Sequence, residues 1–226
     1  MRAIPLSEYE PLVITCELVS PLVSPERFIA IDSMLAYQAV LHTDQPMASN
    51  ASDCVPVEIP VLRSPCGRFH MASIAQFNID KRSVGYTNKR FPTQEAENLS
   101  NMRRVETSQG LTKAFRIPRE HLHVDKLTWY CIGKRNDCLA LLSNVTSIGK
   151  KRGVGMGAII IGSWSIALIT PWEGFPVLRD GMPLRPLPNE FPGIDKSKAE
   201  PAFRCLSYPY WDRAREVECV TQPLDW

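Results

Sequence analysis

The stretch Leu127-Thr128-Trp129-Tyr130-Cys131-Ile132-Gly133, then Asn136 to Val145, then Ser147-Ile148-Gly149-Lys150-Lys151-Arg152-Gly153-Val154-Gly155-Met156-Gly157, carries the architecture. The first part is aromatic and β-branched and reads as a strand stopped by Gly133. Asn136 can cap a short helix with Leu139, Leu141, Leu142 and Val145 on its inner face, ending at Ile148-Gly149. Gly157 to Ile169 is apolar enough for another strand.

Upstream, Pro11 to Leu18 alternates as a first strand and Ser20-Pro21 ends it. Arg27 to Leu41 follows, with Ile31, Met34, Leu35 and Leu41 at helical spacing and Asp32 or Ser33 at the start. His42 to Ser52 is polar and reads as a loop. Val55–Leu62 and Phe69–Phe77 are strand-like, and Pro56, Pro60 and Pro65 make the first of them an edge or a bent connection. The order is βαββαβ, which predicts an α+β, ferredoxin-like (RRM-like) core over residues 1–169. An insertion at about 78–116 interrupts it, rich in Lys and Arg and too long for a turn. It reads as a basic protrusion in the form of an extended hairpin. Residues 170–226 are Pro-rich and read as an irregular flank packed on the core, with short strands possible at Pro176–Leu178 and Cys205–Tyr208.

Composition narrows the class. The 226 residues are 44% hydrophobic and 22% charged, which excludes a mostly disordered chain, a collagen and a coiled coil. Nineteen Pro against 12 Gly argue against long helices. The net charge of +2 hides an asymmetry: Arg63 to Arg152 holds 17 Lys+Arg and 7 Asp+Glu, and the remainder 9 and 17. A block of +10 in a chain this close to neutral is a candidate polyanion surface or a solvated basic loop. Seven Cys with no CxxC, after an N-terminus lacking the apolar stretch of an export signal, read as buried free thiols in a reducing cytoplasm. His121, His123, Cys131 and Cys138 follow no compact zinc spacing, so no metal is expected. The apolar run Gly157 to Ile169 is too short to span a bilayer.

The Gly-rich segment is the densest chemical signal. Its four Gly let backbone approach a phosphate or base, and Lys150, Lys151 and Arg152 offer charge-assisted bonds to phosphate oxygens. A Walker loop places its Lys at the end and precedes a helix, whereas here the cations come first and a strand follows. No strand-to-helix turn opens at these glycines, so a dinucleotide fingerprint is also a poor match. The alternative is a helix-to-strand turn with incidental surface charge.

Leu127 to Gly133, Leu139 to Leu142, and Ile148 to Arg152 followed by Gly153, Gly155 and Gly157 resemble the RAMP proteins of CRISPR-Cas systems. Leu178-Arg179-Asp180-Gly181-Met182-Pro183-Leu184-Arg185-Pro186-Leu187-Pro188 and Ile31-Asp32-Ser33-Met34-Leu35-Ala36-Tyr37 are similar to the Cas-five-like subunit of type IV systems. The resemblance implies a non-catalytic, cytoplasmic RNA-binding subunit, without cofactor, that caps the 5′ repeat-derived handle of the crRNA. Its partners would be the backbone (Cas-seven-like) subunits and the large-subunit-like protein, with target DNA nearby. The basic insertion stands where the family's thumb would be. By this resemblance the RNA-binding residues are Gly149, Lys150, Lys151, Arg152, Gly153 and Gly155 in the loop, and Lys89, Arg90, Arg103, Arg104, Lys113 and Arg116 in the thumb. Tyr86, Phe91 or Phe115 would stack a base or simply pack. Arg179 and Arg185 would contact RNA or form surface salt bridges, and Trp129 and Trp164 belong to the core.

Some RAMP relatives cut repeat RNA without a metal, and His42, after the first helix, is where a nuclease His could lie. A neutral imidazole can act as a general base there. A metal-independent endoribonuclease is thus the alternative to pure binding, and a polyanion binder without sequence preference is a third.

Overall fold

The structure, a computed structural model, describes residues 8–24, 27–43, 57–89, 108 and 113–223. The elements run β1 (Glu10–Glu17), α1 (Ile31–Leu41), β2 (Lys81–Lys89), β3 (Phe115–His123), β4 (Lys126–Gly133), α2 (Arg135–Leu142), β5 (Ser165–Leu168), β6 (Leu178–Arg179), β7 (Met182–Pro183), β8 (Leu187–Pro188), β9 (Glu200–Arg204) and β10 (Val217–Thr221). β1 lies at the centre of the main sheet. It pairs antiparallel with β4 along its whole length, and with β5 on its other edge. Alternation sends Leu12, Ile14 and Cys16 of β1, and Leu127, Trp129 and Cys131 of β4, into the core.

The outer edge of β4 is covered by residues 61–76. Val61, Ala72 and Gln76 bridge Gly133, Cys131 and Thr128, all antiparallel. Ser73 N–H donates to Tyr130 (2.8 Å), and Gln76 and Thr128 exchange both backbone bonds. The described parts of the expected strands Val55–Leu62 and Phe69–Phe77 are therefore a broken ladder of single bridges, while Val55 and Pro56 lie outside the described residues. Across the main sheet the order is 72–76, β4, β1, β5, every neighbour antiparallel. With α1 packed against α2, the architecture is α+β.

The helices differ in detail from the sequence reading. The N-cap of α1 is Ala30, not Asp32 or Ser33. Ile31, Leu35 and Ala36 are buried, but Leu41 is half exposed. The N-cap of α2 is Lys134, and Asn136 lies exposed inside the first turn. Its inner face is Cys138 and Leu142, while Leu139 is exposed; α2 stops at Leu142, so Val145 and Ile148 reach the core from the connection. The run Gly157–Ile169 is not one strand. Ala158 and Ile159 make single bridges, the chain turns through Gly162 (φ +78°), and Ile161 is 98% exposed before β5 begins.

The C-terminal stretch is more ordered than expected. β8, β10 and β9 form an antiparallel sheet, and β6 and β7 a ribbon. Phe69, Val177, Leu178, Leu187, Leu206 and Cys219 make a second apolar cluster. Cys205–Tyr208 is not a strand. Of the thiols expected to be buried, Cys66 is exposed.

One polar group sits where these layers meet. Asp32 and Arg185 are 1% and 2% exposed, with Oδ2 and Nη1 3.5 Å apart. Tyr210 donates its hydroxyl to Asp32 Oδ2 (2.7 Å) and accepts from Arg185 Nη2 (2.8 Å). Arg185 also donates to the carbonyls of His70, Ala72 and Leu206. The expectation of a surface salt bridge or RNA contact at Arg185 is thus corrected: it is an internal clamp. Burial pushes the Asp32 carboxyl up, but Arg185, His70 and Tyr210 together hold it below its ordinary value.

Arg185→Ala would strand the Asp32 carboxylate in the core, and a loss of about 3–5 kcal/mol is expected in denaturant unfolding. Because the folded Asp32 pKa is depressed, its contribution is present above the unfolded carboxylate value. It is lost as pH falls through the folded value, so Asp32→Asn should flatten the acid limb of a stability–pH curve.

Candidate nucleic-acid interface

The connection from Ser147 to Gly157 is a tied loop. Ile148 N–H donates to Gly157 O (2.8 Å), and Ser147 bridges Ala158. Lys150 N–H donates to Val23 O (2.8 Å) and Gly157 N–H to Pro21 O (2.8 Å). Ser20 locks the far side: its hydroxyl donates to Gly155 O (2.7 Å) and accepts from Ala158 N–H (2.8 Å). Arg152–Val154 form one 3₁₀ turn between two left-handed residues, Lys151 (φ 64°) and Gly155 (φ 84°). Left-handed backbone at a non-Gly residue costs roughly 1–2 kcal/mol, so Lys151 holds strain within the cationic triplet.

Two glycines here are demanded by space. A Cβ on Gly157 would stand 1.9 Å from Ile148 O, and one on Gly149 2.9 Å from Val23 O. Gly153 and Gly155 meet nothing within 4 Å, so that side of the loop opens outward. The Gly155 amide donates to Arg152 O (2.9 Å), so it is engaged within the turn. What the loop presents is side chains: Lys150, Lys151 and Arg152 are all exposed. The Arg152 guanidinium lies 5.9 Å from the Tyr37 ring of α1.

The described arms of the basic insertion, β2 and β3, form an antiparallel ladder from Lys81–His123 to Lys89–Phe115. Its return arm runs to His123, beyond the boundary at 116 read from sequence. The root is fixed by Leu22, which exchanges two backbone bonds with Leu122 (2.8 and 2.9 Å). The neighbouring Val23 carbonyl holds Lys150. Hairpin root and cationic loop are therefore fastened to consecutive residues of one strap, 20–23. At about 3.4 Å per residue, the ladder extends roughly 24 Å beyond Leu122.

Opposed residues of an antiparallel pair share a face. One face carries Lys81, Lys89, Arg119, His121 and His123 and no carboxylate. His121 lies over Gly85, whose added Cβ would stand 2.1 Å from the imidazole, and His123 Nε2 is 2.9 Å from Ser83 Oγ. The buried Arg119 Nε has no hydrogen-bond partner among the described residues. The other face carries Arg116 over the Tyr86 ring (4.0 Å) and Arg82 beside Glu120 (3.3 Å). Tyr86 is half exposed, not a core packing residue. Sequence reasoning passed over Arg119 and the Ser20–Val23 strap; the two-residue period of β3 was the signal for the first, and the second had none.

Lys89 and Arg116 lie on the hairpin arms and Lys113 just before β3, whereas Arg90, Phe91, Arg103 and Arg104 fall outside the described residues. Arg179 stacks on Trp172 (4.9 Å). Trp129 is buried and stacks on Trp164 (5.8 Å). Cys131 and Cys138 lie side by side in the core, whereas His121 and His123 belong to the hairpin. His42 caps the end of α1, with Nε2 3.4 Å from Asn144 Nδ2.

Loop geometry sets a clear expectation. Gly157→Ala should destabilise the fold by more than 1 kcal/mol while Gly153→Ala stays within ~0.5 kcal/mol of wild type, in thermal or urea unfolding. Lys151→Gly should leave stability equal or raised by up to ~1 kcal/mol, since it releases the left-handed strain.

No helix among the described residues is long and apolar enough to cross a membrane. A search of curated proteins finds no significant match. The sequence model of the family described as CRISPR type IV associated protein Csf3 matches residues 75–222, from the edge of the main sheet through hairpin, loop and C-terminal sheet. The chain belongs to this family of type IV CRISPR-associated proteins.

Proposed function

We propose that the chain is the Cas-five-like, guide-RNA-binding subunit of a type IV effector, built on a ferredoxin-like RAMP core. The carrying observation is the joining of two cationic elements, loop and hairpin root, to the strap 20–23. The sheet order 72–76, β4, β1, β5 with all neighbours antiparallel supports the core assignment. Binding a nucleic-acid backbone needs distributed cations on a surface that does not collapse onto itself. A loop anchored by backbone bonds to Pro21 and Val23, whose cationic side chains are exposed, supplies the first set. A ladder with one face free of carboxylates supplies the second.

On this reading Lys150, Lys151 and Arg152 contact phosphates of the repeat-derived handle. The hairpin, with Lys81, Lys89, Arg116 and Arg119, is the thumb that meets the RNA where handle gives way to spacer. Tyr86 offers a ring for an unstacked base, already stiffened by Arg116. The subunit contacts a backbone subunit and neighbours the large-subunit-like protein. It carries no catalysis: RNA is held, not cut.

The triple variant Lys150→Ala/Lys151→Ala/Arg152→Ala tests this. Plotting log Kd for repeat RNA against log salt should give a slope shallower by about 2, since each lost phosphate contact on a single strand removes roughly 0.7. Assembly of the effector from its purified subunits should weaken in parallel. An unchanged slope and unchanged assembly would remove the loop from the interface. Incubation of wild type with repeat RNA in EDTA should leave the RNA intact; site-specific cutting abolished by His42→Ala would establish the nuclease instead.

A further inference from the structure

A cavity of about 240 Å³ lies on the seam between the turn 63–70 and the C-terminal sheet, lined by Arg63, Gly67, Arg68, Ser207 and Arg215 among others. Three arginines from two distant parts of the chain converge there. We propose that this cavity is an anion site, separate from the loop and hairpin, that takes a single phosphoryl group.

The local bonds leave donors to spare. A guanidinium carries five N–H groups. Arg63 donates Nε to Gly67 O (2.9 Å), which aims the group while both terminal nitrogens remain beyond that bond. Arg215 donates to Tyr208 O and to the Ser207 hydroxyl, both at 3.1 Å, and so is held against the cavity floor. Ser207 itself is 7% exposed, and the adjacent Leu206 carbonyl is gripped by the buried Arg185. Two of the three arginines are thus pre-set by their own bonds, which lowers the ordering cost of binding.

Charge gives the ligand class. Three arginines lining one space match the oxygens of a phosphoryl group better than any neutral ligand. The volume is below that of sites for drug-sized molecules, so one phosphate with its attached sugar is the scale of the occupant. Glu216 and Asp212 act electrostatically on Cys205 in the lining, and the direct competitor is Glu190, paired with Arg68 at 2.7 Å on the exposed rim. A phosphoryl group would displace it, so Glu190 sets the affinity from outside. Occupancy would bind the 63–70 turn to the C-terminal sheet. The site is independent of the guide-RNA reading, and the two can fail separately.

The test titrates the full chain with inorganic phosphate, against chloride at matched ionic strength, by calorimetry. Saturable one-to-one binding is expected. Arg63→Gln, at an exposed position, should weaken it at least tenfold, and Glu190→Gln should tighten it about threefold or more. The triple loop variant should bind phosphate like wild type. Adenosine monophosphate and an oligoribonucleotide lacking a terminal phosphate then separate the sources: tighter binding of the first assigns a free or terminal phosphate, and of the second a strand phosphodiester. Phosphate indistinguishable from chloride, equal affinity for wild type and Arg63→Gln, or binding of an acidic peptide alone would each overturn the proposal.

Discussion

The Asp32–Arg185 pair is the constraint on which the rest of the molecule depends. Removing a carboxylate and a guanidinium from water costs several kcal/mol per ion, and attraction alone rarely compensates. Here the terminal donors of the guanidinium are matched one by one, while its Nε has no partner among the described residues. Tyr210 bridges the two charges, and carbonyls of His70, Ala72 and Leu206 accept from the same guanidinium. Those carbonyls belong to the edge of the main sheet and to the segment leading into the C-terminal sheet. One side chain therefore sets the spacing of α1, the 61–76 edge and the C-terminal layer. His70 Nδ1, 3.6 Å from Asp32 Oδ2, is close enough to feel the charge but too far for a hydrogen bond.

That constraint reaches the loop through α1. Asp32 fixes the first turn of α1, and α1 carries Tyr37 toward Arg152. From the other side the loop is bound by Ser20, Pro21 and Val23. Gly157 admits the loop only because it lacks a Cβ, with Ile148 O filling the space. The loop is consequently a shaped part of the core whose cations happen to be on the outside. A flexible basic tail would lose conformational entropy on every contact; a tied loop has already lost it on folding.

How much of this was legible follows from the range of each interaction. β1 and β4 were readable because Leu12, Ile14 and Cys16, and Leu127, Trp129 and Cys131, alternate locally. The basic hairpin was readable from its length and charge, though its far boundary reads as about 116 in the sequence while β3 runs on to His123. The C-terminal sheet was not readable: β8, β9 and β10 are two to five residues long and interrupted by Pro188 and Pro201. The broken strand after Gly157 was misread because Ile159, Ile160 and Ile161 look continuous, while Gly162 turns the chain and leaves Ile161 in solvent. Arg185 was read as a surface residue since its partners stand 153 positions back, at Asp32, and 25 ahead, at Tyr210. Local pattern carries no information about such a pairing.

The same distinction separates the two kinds of basic residue in this chain. Arg185 is neutralised internally, so its charge is invisible from outside and contributes only to the fold. Lys150, Lys151 and Arg152 stay in water, where they cost no desolvation, and Lys151 even accepts left-handed strain to remain in line. A chain selected for stability alone would place Gly at that position, as it does at Gly149, Gly155 and Gly157. Keeping a lysine there gives up local stability to hold a charge at a fixed point. That choice is physically reasonable when the charge meets a ligand whose own charges are regularly spaced.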